Sequence, residues 1–455
     1  MKAKISAVLT GDGMKARAVR GTMLSIGSFG GAQVIRLASN LILTRLLFPE
    51  AFGLMALMQV FIIGLEMFAD MGINPAIIQS KRGDERSFLN TAWTFQVARG
   101  VVLWLLACLL SVPLAEFYEQ ESLKTIMPVL AFSTVLSGLK STKMATANRH
   151  LMMGRLTVVE LSSQIIGTII MILFAWWLES VWALVIGSLC IFLLTTVFSH
   201  LLIPGENNRF AFEKASAWEL FHFGKFIVIS TIAGYFVNQG DRLILGKYVT
   251  LEELAIFTIA FLFGNLAMAL NGQVNSRILM ALYSQRPPAE SDSNYAHISR
   301  ARSILIGGFL MVILLFGLTG EWLIELLYDP RYHAAGPMLV LLAVSIVPAV
   351  VLDGCKHVLL ANGNSRNFTI LIVCLGIIRT ALLLWLISSY GIVGAIIAPF
   401  VSNIVIYPLM AHFARQYRGW LPAVDLAFSV LGGVIIAVVL WASPAARDLL
   451  TAPFL

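Results

Sequence analysis

Residues 89–113 read LNTAWTFQVARGVVLWLLACLLSVP, a run whose single formal charge is Arg99. A helix that crosses a bilayer needs about 20 apolar residues, so this run spans one. Stretches of the same kind fall at 21–44, 52–79, 124–146, 157–178 and 181–203. A second set follows at 218–247, 253–283, 301–319, 336–360, 367–388 and 391–413, with a thirteenth at 424–442. The reading is therefore an all-α integral membrane protein.

Composition carries that reading over the whole chain. Of its 455 residues, 58% are hydrophobic and 13% charged, with a mean hydropathy of +0.84; soluble domains are ~25% charged. A cytosolic enzyme is excluded, and little chain remains for a folded soluble domain. Cys108, Cys190, Cys355 and Cys374 lie apart in apolar stretches, so they read as packing residues, not metal ligands or disulfides. The basic N-terminus precedes an apolar run with no cleavage signature and reads as a retained first helix.

The distribution of Lys and Arg gives an orientation. One side collects Lys81, Arg82, Arg86, Lys140, Lys143, Arg149, Arg155, Arg209, Lys214, Arg286, Arg300, Arg302, Arg366, Arg415 and Arg418 with the N-terminal charges; the other holds Arg45, Lys124, Lys247, Arg331 and Arg447. A roughly fourfold excess places the first side, and the N-terminus, in the cytoplasm. Loops near 83, 150, 210, 290, 363 and 416 are then cytoplasmic.

A weak internal repeat supports two lobes. Leu41-Ile42-Leu43-Thr44-Arg45 answers Leu243-Ile244-Leu245-Gly246-Lys247, and Glu50 and Glu252 follow at equal distances. Six spans separate the copies, so both run the same way. The expectation is two six-helix lobes as parallel repeats around a central cavity, plus about one extra C-terminal helix. The expected segments are 1–20, cytoplasmic; 21–203, N-terminal lobe; 204–217, cytoplasmic linker; 218–413, C-terminal lobe; and 414–455, additional helix and tail.

Chemistry-bearing motifs are few. No Walker A sequence and no nucleophile elbow occur, and the histidines show no ligand spacing. What stands out is ionisable residues inside apolar spans, where a lipid-facing charge costs at least ~2.5–3.5 kcal/mol at mid-helix. Arg99 and Arg379 lie about ten residues from the nearer end of their spans, ~15 Å in and too deep for snorkelling. Arg36, Arg242, Arg277, Lys225 and Lys356 are shallower. Glu66 and Asp70 are four apart and share a helix face with Gln59 and Asn74, whereas the equivalent face of the eighth span carries Asn271 and Asn275. Two readings of Glu66 and Asp70 stand: a proton-coupling pair, or counter-ions of Arg36 or Arg99. Asp241 reads as a local partner of Arg242. Gly27, Gly30 and Gly31 allow a close helix approach.

The stretch Leu43-Thr44-Arg45-Leu46-Leu47-Phe48-Pro49-Glu50-Ala51-Phe52-Gly53-Leu54 resembles the first-loop signature of the bacterial polysaccharide transporter family, the Wzx-type oligosaccharide flippases of the MOP superfamily. Phe48 stands where members usually have Gly. Asn148 to Leu156 and Asp241 to Lys247 add further matches, so that the resemblance covers about 20–415. It implies a two-lobed transporter, not an enzyme, that moves undecaprenyl-pyrophosphate-linked oligosaccharide across the bacterial inner membrane by alternating access. It also implies cavity cations facing the pyrophosphate, a role that falls on Arg36, Arg99, Arg242 and Arg379, whose planar forks suit phosphate oxygens. Lipid-linked oligosaccharide, membrane lipids and the polysaccharide polymerase machinery are the implied partners, with no nucleic acid, cofactor or metal. A cation or drug antiporter of the same superfamily should carry carboxylates in both lobes, and a glycan polymerase or ligase should carry a large outer loop. The longest outer loop here, about 320–335, is short and reads as solvated.

Overall fold

The structure is a computed structural model that describes the backbone of residues 14–69 and 72–451, and the side chains of residues 27–28, 30–69, 72–222, 231–276 and 278–451. In chain order the helices are α1 (Met14–Leu46), α2 (Pro49–Phe68), α3 (Ile73–Gln79), α4 (Arg86–Phe117), α5 (Ser122–Gly138), α6 (Lys143–Arg149), α7 (Met153–Leu178) and α8 (Val181–Leu201). They continue as α9 (Lys214–Tyr248), α10 (Leu251–Gln285), α11 (Asp292–Leu327), α12 (Ala335–Ser345), α13 (Val347–Leu352), α14 (Gly354–Ala361), α15 (Ser365–Arg415), α16 (Pro422–Ala442) and α17 (Pro444–Thr451).

Among the described residues nine helical segments are long and apolar enough to cross a membrane, or ten when α5 and α6, bent by 54°, count as one span. The chain is a multi-pass membrane protein. The expected thirteen spans differ from this for local reasons. The α15 segment counts once although its 51 residues would run ~76 Å as one rod. It breaks at Gly391 (φ 53°, ψ −128°), where the chain reverses between the two expected spans. The first and seventh expected spans fall on α1 and α9, which include residues outside the described side chains. The expected 52–79 run is two helices, because Gly72 takes a left-handed conformation (φ 62°) between α2 and α3.

The chain divides into two compact units, Met1–Thr231 and Ile232–Leu455. In the first, α4 lies on α5, α7 on α8 and α1 on α7. Two glycines set the α4–α5 approach: a Cβ on Gly100 would sit 2.5 Å from the Thr134 carbonyl oxygen, and one on Gly138 2.5 Å from that of Gln96. Thr134 Oγ1 donates to Gly100 O at 2.9 Å across the same contact. The glycines at 27 and 30 do not do this work, having nothing within 4 Å of an added Cβ, while Gly31 makes only ordinary contact with Leu161.

The division falls inside α9, past the expected 204–217 linker, because that connector is fastened to the first unit. Asn208 Oδ1 accepts from Ser141 Oγ and Thr142 N, Arg209 N donates to Asn90 Oδ1, Ala211 N to Thr94 Oγ1, and Glu213 N to Thr91 Oγ1. Every second backbone donor of 209–213 thus meets a polar side chain of α4, and Phe210 leans on Trp93 with ring centroids 4.7 Å apart.

In the second unit, α10 and α11 pack around α12 and α14, with α15 and α16 outside them. The broken span Pro330–Ala361 is buried along most of its length. Its apolar stretch 338–344 has no polar side chain, and the hydroxyl of Ser345 that follows turns back to Leu342 O at 2.8 Å. Pro348, with no N–H to donate, lies in the first turn of α13, which follows the break at Ile346. The repeated stretches 41–45 and 243–247 close α1 and α9, and Glu50 and Glu252 lie in the first turns of α2 and α10. Phe48 is extended (φ −75°, ψ 149°), a conformation any residue adopts, so its turn does not require the family's glycine.

Candidate functional site

The loops expected on one face come together at one end of each unit. In the first, His150 Nε2 lies 2.8 Å from Asp84 Oδ1, Arg86 pairs with Glu206 at 2.8 Å, and Lys143 Nζ donates to Asn207 Oδ1 at 2.8 Å. Arg82 pairs with Glu213 at 2.8 Å and Glu85 at 2.7 Å, while Ser80 donates to Glu219 at 2.6 Å. The hydroxyl of Ser216, then the Arg82 guanidinium, hold the Glu213 carboxyl below the usual carboxylate range. In the second unit, Arg418 pairs with Asp292 at 2.9 Å and Asn364 Nδ2 donates to Tyr417 Oη at 2.9 Å.

Inside the first unit, Glu66 of α2 and Arg99 of α4 are both half-buried. Arg99 Nη1 lies 3.5 Å from Ala69 O, a long contact at the end of α2. Arg36 is on the exposed side of α1. Asp70 lies outside the described residues, as do the side chains of Lys225 and Arg277. A charge that the sequence reading assigns to a loop stands near Glu66: Lys140, at the bend between α5 and α6, interacts electrostatically with both Glu66 and Glu160. Its ammonium sits 5.2 Å from the Phe192 ring centroid, a cation–π distance. In the sequence Lys140 looks like one more loop charge, because it stands among Lys143, Arg149 and Arg155 at the end of an apolar run.

Inside the second unit, two candidate arginines lie within the electrostatic reach of one carboxylate, that of Asp241, which accepts from the backbone N–H of Arg242 at 2.8 Å. Asp241 is 9% exposed and interacts with both Arg242 and Arg379. It is thus a shared counter-charge, and the local pairing expected at the outer surface is only part of its role. Arg379 Nε donates to Ser402 Oγ and its Nη1 to Val237 O, both at 3.0 Å, tying α9 to the two arms of α15. The Arg242 guanidinium lies 4.2 Å from the ring centroid of Phe261 on α10. Two guanidinium groups with a single carboxylate in their field leave an excess positive charge inside apolar helices. Such a charge is tolerated where it meets a ligand or a wet cavity.

A deeper ion pair escaped the sequence reading. Arg302, counted among the loop charges, is 0% exposed and meets Asp425 of α16, 2% exposed, at 2.7 Å. Tyr407 Oη donates to the other Asp425 oxygen at 3.0 Å, and Trp420 Nε1 donates to Tyr407 Oη at 3.0 Å. Arg302 also reaches Val351 O at the helix break and Gly419 O, with Cys355 and Tyr283 beside it. In the loop before α12, Arg331 pairs with Asp329 at 2.6 Å, which holds that carboxyl below its usual range. Among the described residues no group of His, Cys, Asp and Glu is arranged to hold a metal.

The sequence pattern of the polysaccharide biosynthesis protein family matches residues 42–337. The chain belongs to that family. Among similar family proteins, the teichuronic acid biosynthesis protein TuaB of Bacillus subtilis is 21% identical over 66% of this chain and 62% of its own length. The probable low-salt glycan biosynthesis flippase Agl15 of Haloferax volcanii is 25% identical over 44% of this chain and 43% of its own. The matches therefore span less than two thirds of either relative. The fold of this polysaccharide biosynthesis protein is similar to that of the lipid II flippase MurJ in an inward closed conformation (TM-score 0.72, 11% identity, 94% of this chain and 97% of that one). It is also similar to that of an inward-facing multidrug resistance MATE family transporter of the MOP superfamily (TM-score 0.62, 13% identity, 85% and 95%).

Proposed function

We propose that this protein is a flippase that moves lipid-linked oligosaccharide, carried on undecaprenyl pyrophosphate, across the bacterial inner membrane for surface polysaccharide synthesis. The observation that carries the proposal is the pair Arg242 and Arg379, two guanidinium groups set among apolar helices, one on the Phe261 ring and one on Ser402 and Val237 O, with neither in an ion pair among the described residues. A pyrophosphate is the anion whose oxygens planar forks engage two at a time. Arg36 and Arg99 extend the same cationic role in the first unit, whose exposed Arg36 is available to a ligand. Family membership supports this reading, as does the naming of one relative as a glycan biosynthesis flippase.

In this account the N-terminus is cytoplasmic, the two units form the six-helix lobes of an alternating-access cycle, and product passes to polysaccharide polymerase machinery. Glu66 and Asp70 couple the cycle to a proton gradient, with Lys140 as the fixed positive charge against which Glu66 is ionised or neutral. Protonation drives a cycle only if its free energy differs between the two arrangements, and a carboxylate near a half-buried ammonium at a helix bend meets that condition when the bend moves.

The test is reconstitution in proteoliposomes loaded with a lipid-linked oligosaccharide bearing a label that an impermeant reagent quenches. Protein-dependent loss of protected label supports the flippase. Uptake of organic cations without movement of the glycolipid would favour an antiporter.

A further inference from the structure

In the second unit Asn271 and Asn275, one turn apart on α10, and Arg302 of α11 face a cavity of about 10 Å³ completed by Leu279, Val350 and Gly354. The three polar residues are 1%, 3% and 0% exposed. Asn275 Nδ2 donates to Asn271 Oδ1 at 3.0 Å. Asn271 Nδ2, Asn275 Oδ1 and Arg302 Nε then have no hydrogen-bond partner among the described residues. Exchanging nitrogen and oxygen in both amides leaves the same inventory, one donor and one acceptor beside the Arg302 donor.

We infer that this cavity is the binding site of one ordered water. A water site needs roughly 10–15 Å³ and typically about three partners, and this one offers both. The water accepts from Arg302 Nε and from one amide, and donates to the other amide's oxygen. A cation is excluded by the guanidinium. An anion is disfavoured by the amide oxygen, and because the Arg302 charge is already met by Asp425 at 2.7 Å.

The surroundings say why water and not a side chain fills the place. A Cβ on Gly354 would stand 2.6 Å from Arg302 Nε, so the start of α14 must stay bare for the arginine to pass. The break before α14 frees backbone groups, and irregular backbone at membrane depth persists where it is buried in protein or lines a wet cavity. The water completes the tie of α10 and α11 to that break, while Arg302 Nη2 takes Val351 O at 3.3 Å.

The experiment uses the full chain in lipid nanodiscs. A density map at a resolution that shows waters should contain one peak about 2.7–3.2 Å from Arg302 Nε and from both amides. The unfolding temperature should fall in Asn271→Leu and in Asn275→Leu. Replacing chloride by gluconate at constant ionic strength should leave the wild-type unfolding temperature unchanged. A map with Arg302 Nε bonded directly to an amide and no peak overturns the proposal. So does a chloride-dependent rise in unfolding temperature with bromide density at the site, which would make it an anion site.

Discussion

Arg302 and Asp425 meet at 2.7 Å, 0% and 2% exposed, and so join α11 to α16 across 123 residues of sequence. Removing one partner of a fully buried pair leaves an uncompensated charge, at a cost of about 3–5 kcal/mol. Asp425→Asn and Arg302→Met should each sharply lower the unfolding temperature in detergent. The double variant Arg302→Met with Asp425→Leu should recover most of the loss, because no charge is then left buried alone. A double variant no better than the singles would show that the hydrogen bonds to Val351 and Gly419, not the charge pair, carry the effect.

The α4–α5 contact gives a second prediction. Gly100→Ala places a methyl 2.5 Å from a backbone oxygen that cannot swing aside. Overpacking of this kind costs about 1–3 kcal/mol. Gly100→Ala and Gly138→Ala should both destabilise the protein in thermal unfolding, whereas Gly30→Ala, with open space around it, should not.

Spans such as 89–113 were legible from apolar length alone, and the Gly391 reversal coincides with the turn read between the last two spans of the second lobe. Lys140, Arg302 and Lys143 were not legible as interior residues. Each lies near the end of an apolar run, where sequence makes it look like a loop charge, and each is turned inward by a bend or a distant partner. Lys143 is 6% exposed, its ammonium held by His200 O and Asn207 Oδ1 57 and 64 residues away. Arg99 and Arg379 were found because they sit mid-span, where helical rise alone fixes their depth. That Arg379 reaches Val237 O depends on the fold of α15 against α9, which no periodicity announces.

The strap at 204–213 should respond to acid. Glu213 has its folded-state affinity for protons lowered by Ser216 and Arg82, so its contribution is fully present above the ordinary glutamate range of about 4.3. It is lost as pH falls through the lower folded value. Amide exchange of 209–213, corrected for intrinsic rates, should stay protected through the neutral range and open below about pH 4. Glu213→Gln should weaken protection at neutral pH and flatten that dependence. An unchanged profile in the variant would remove Glu213 from the clamp.

Glu66→Gln and Asp70→Asn keep shape and hydrogen bonding but cannot ionise. A proton carrier so altered should lose gradient-driven transport in proteoliposomes while still binding substrate. If the carboxylates serve only as counter-ions, neutralising the matching arginine or Lys140 should restore transport. Full gradient dependence in the double variant would remove both residues from coupling.

Arg99→Ala and Arg379→Ala should reduce glycan export roughly tenfold to a hundredfold, the range expected for losing one charged hydrogen-bonding partner, with protein level near normal. Lys at either position should recover part of the activity, since it keeps charge without the fork. Normal export by the alanine variants would assign both residues to structure.

The most direct measurement is the leaflet distribution of lipid-linked sugars in cells lacking the protein, read by mass spectrometry after treatment with an impermeant reagent. The account predicts complete oligosaccharide units accumulating on the cytoplasmic leaflet, cleared by the wild-type chain and not by Arg379→Ala. Complete units reaching the outer leaflet and remaining unpolymerised there would contradict it.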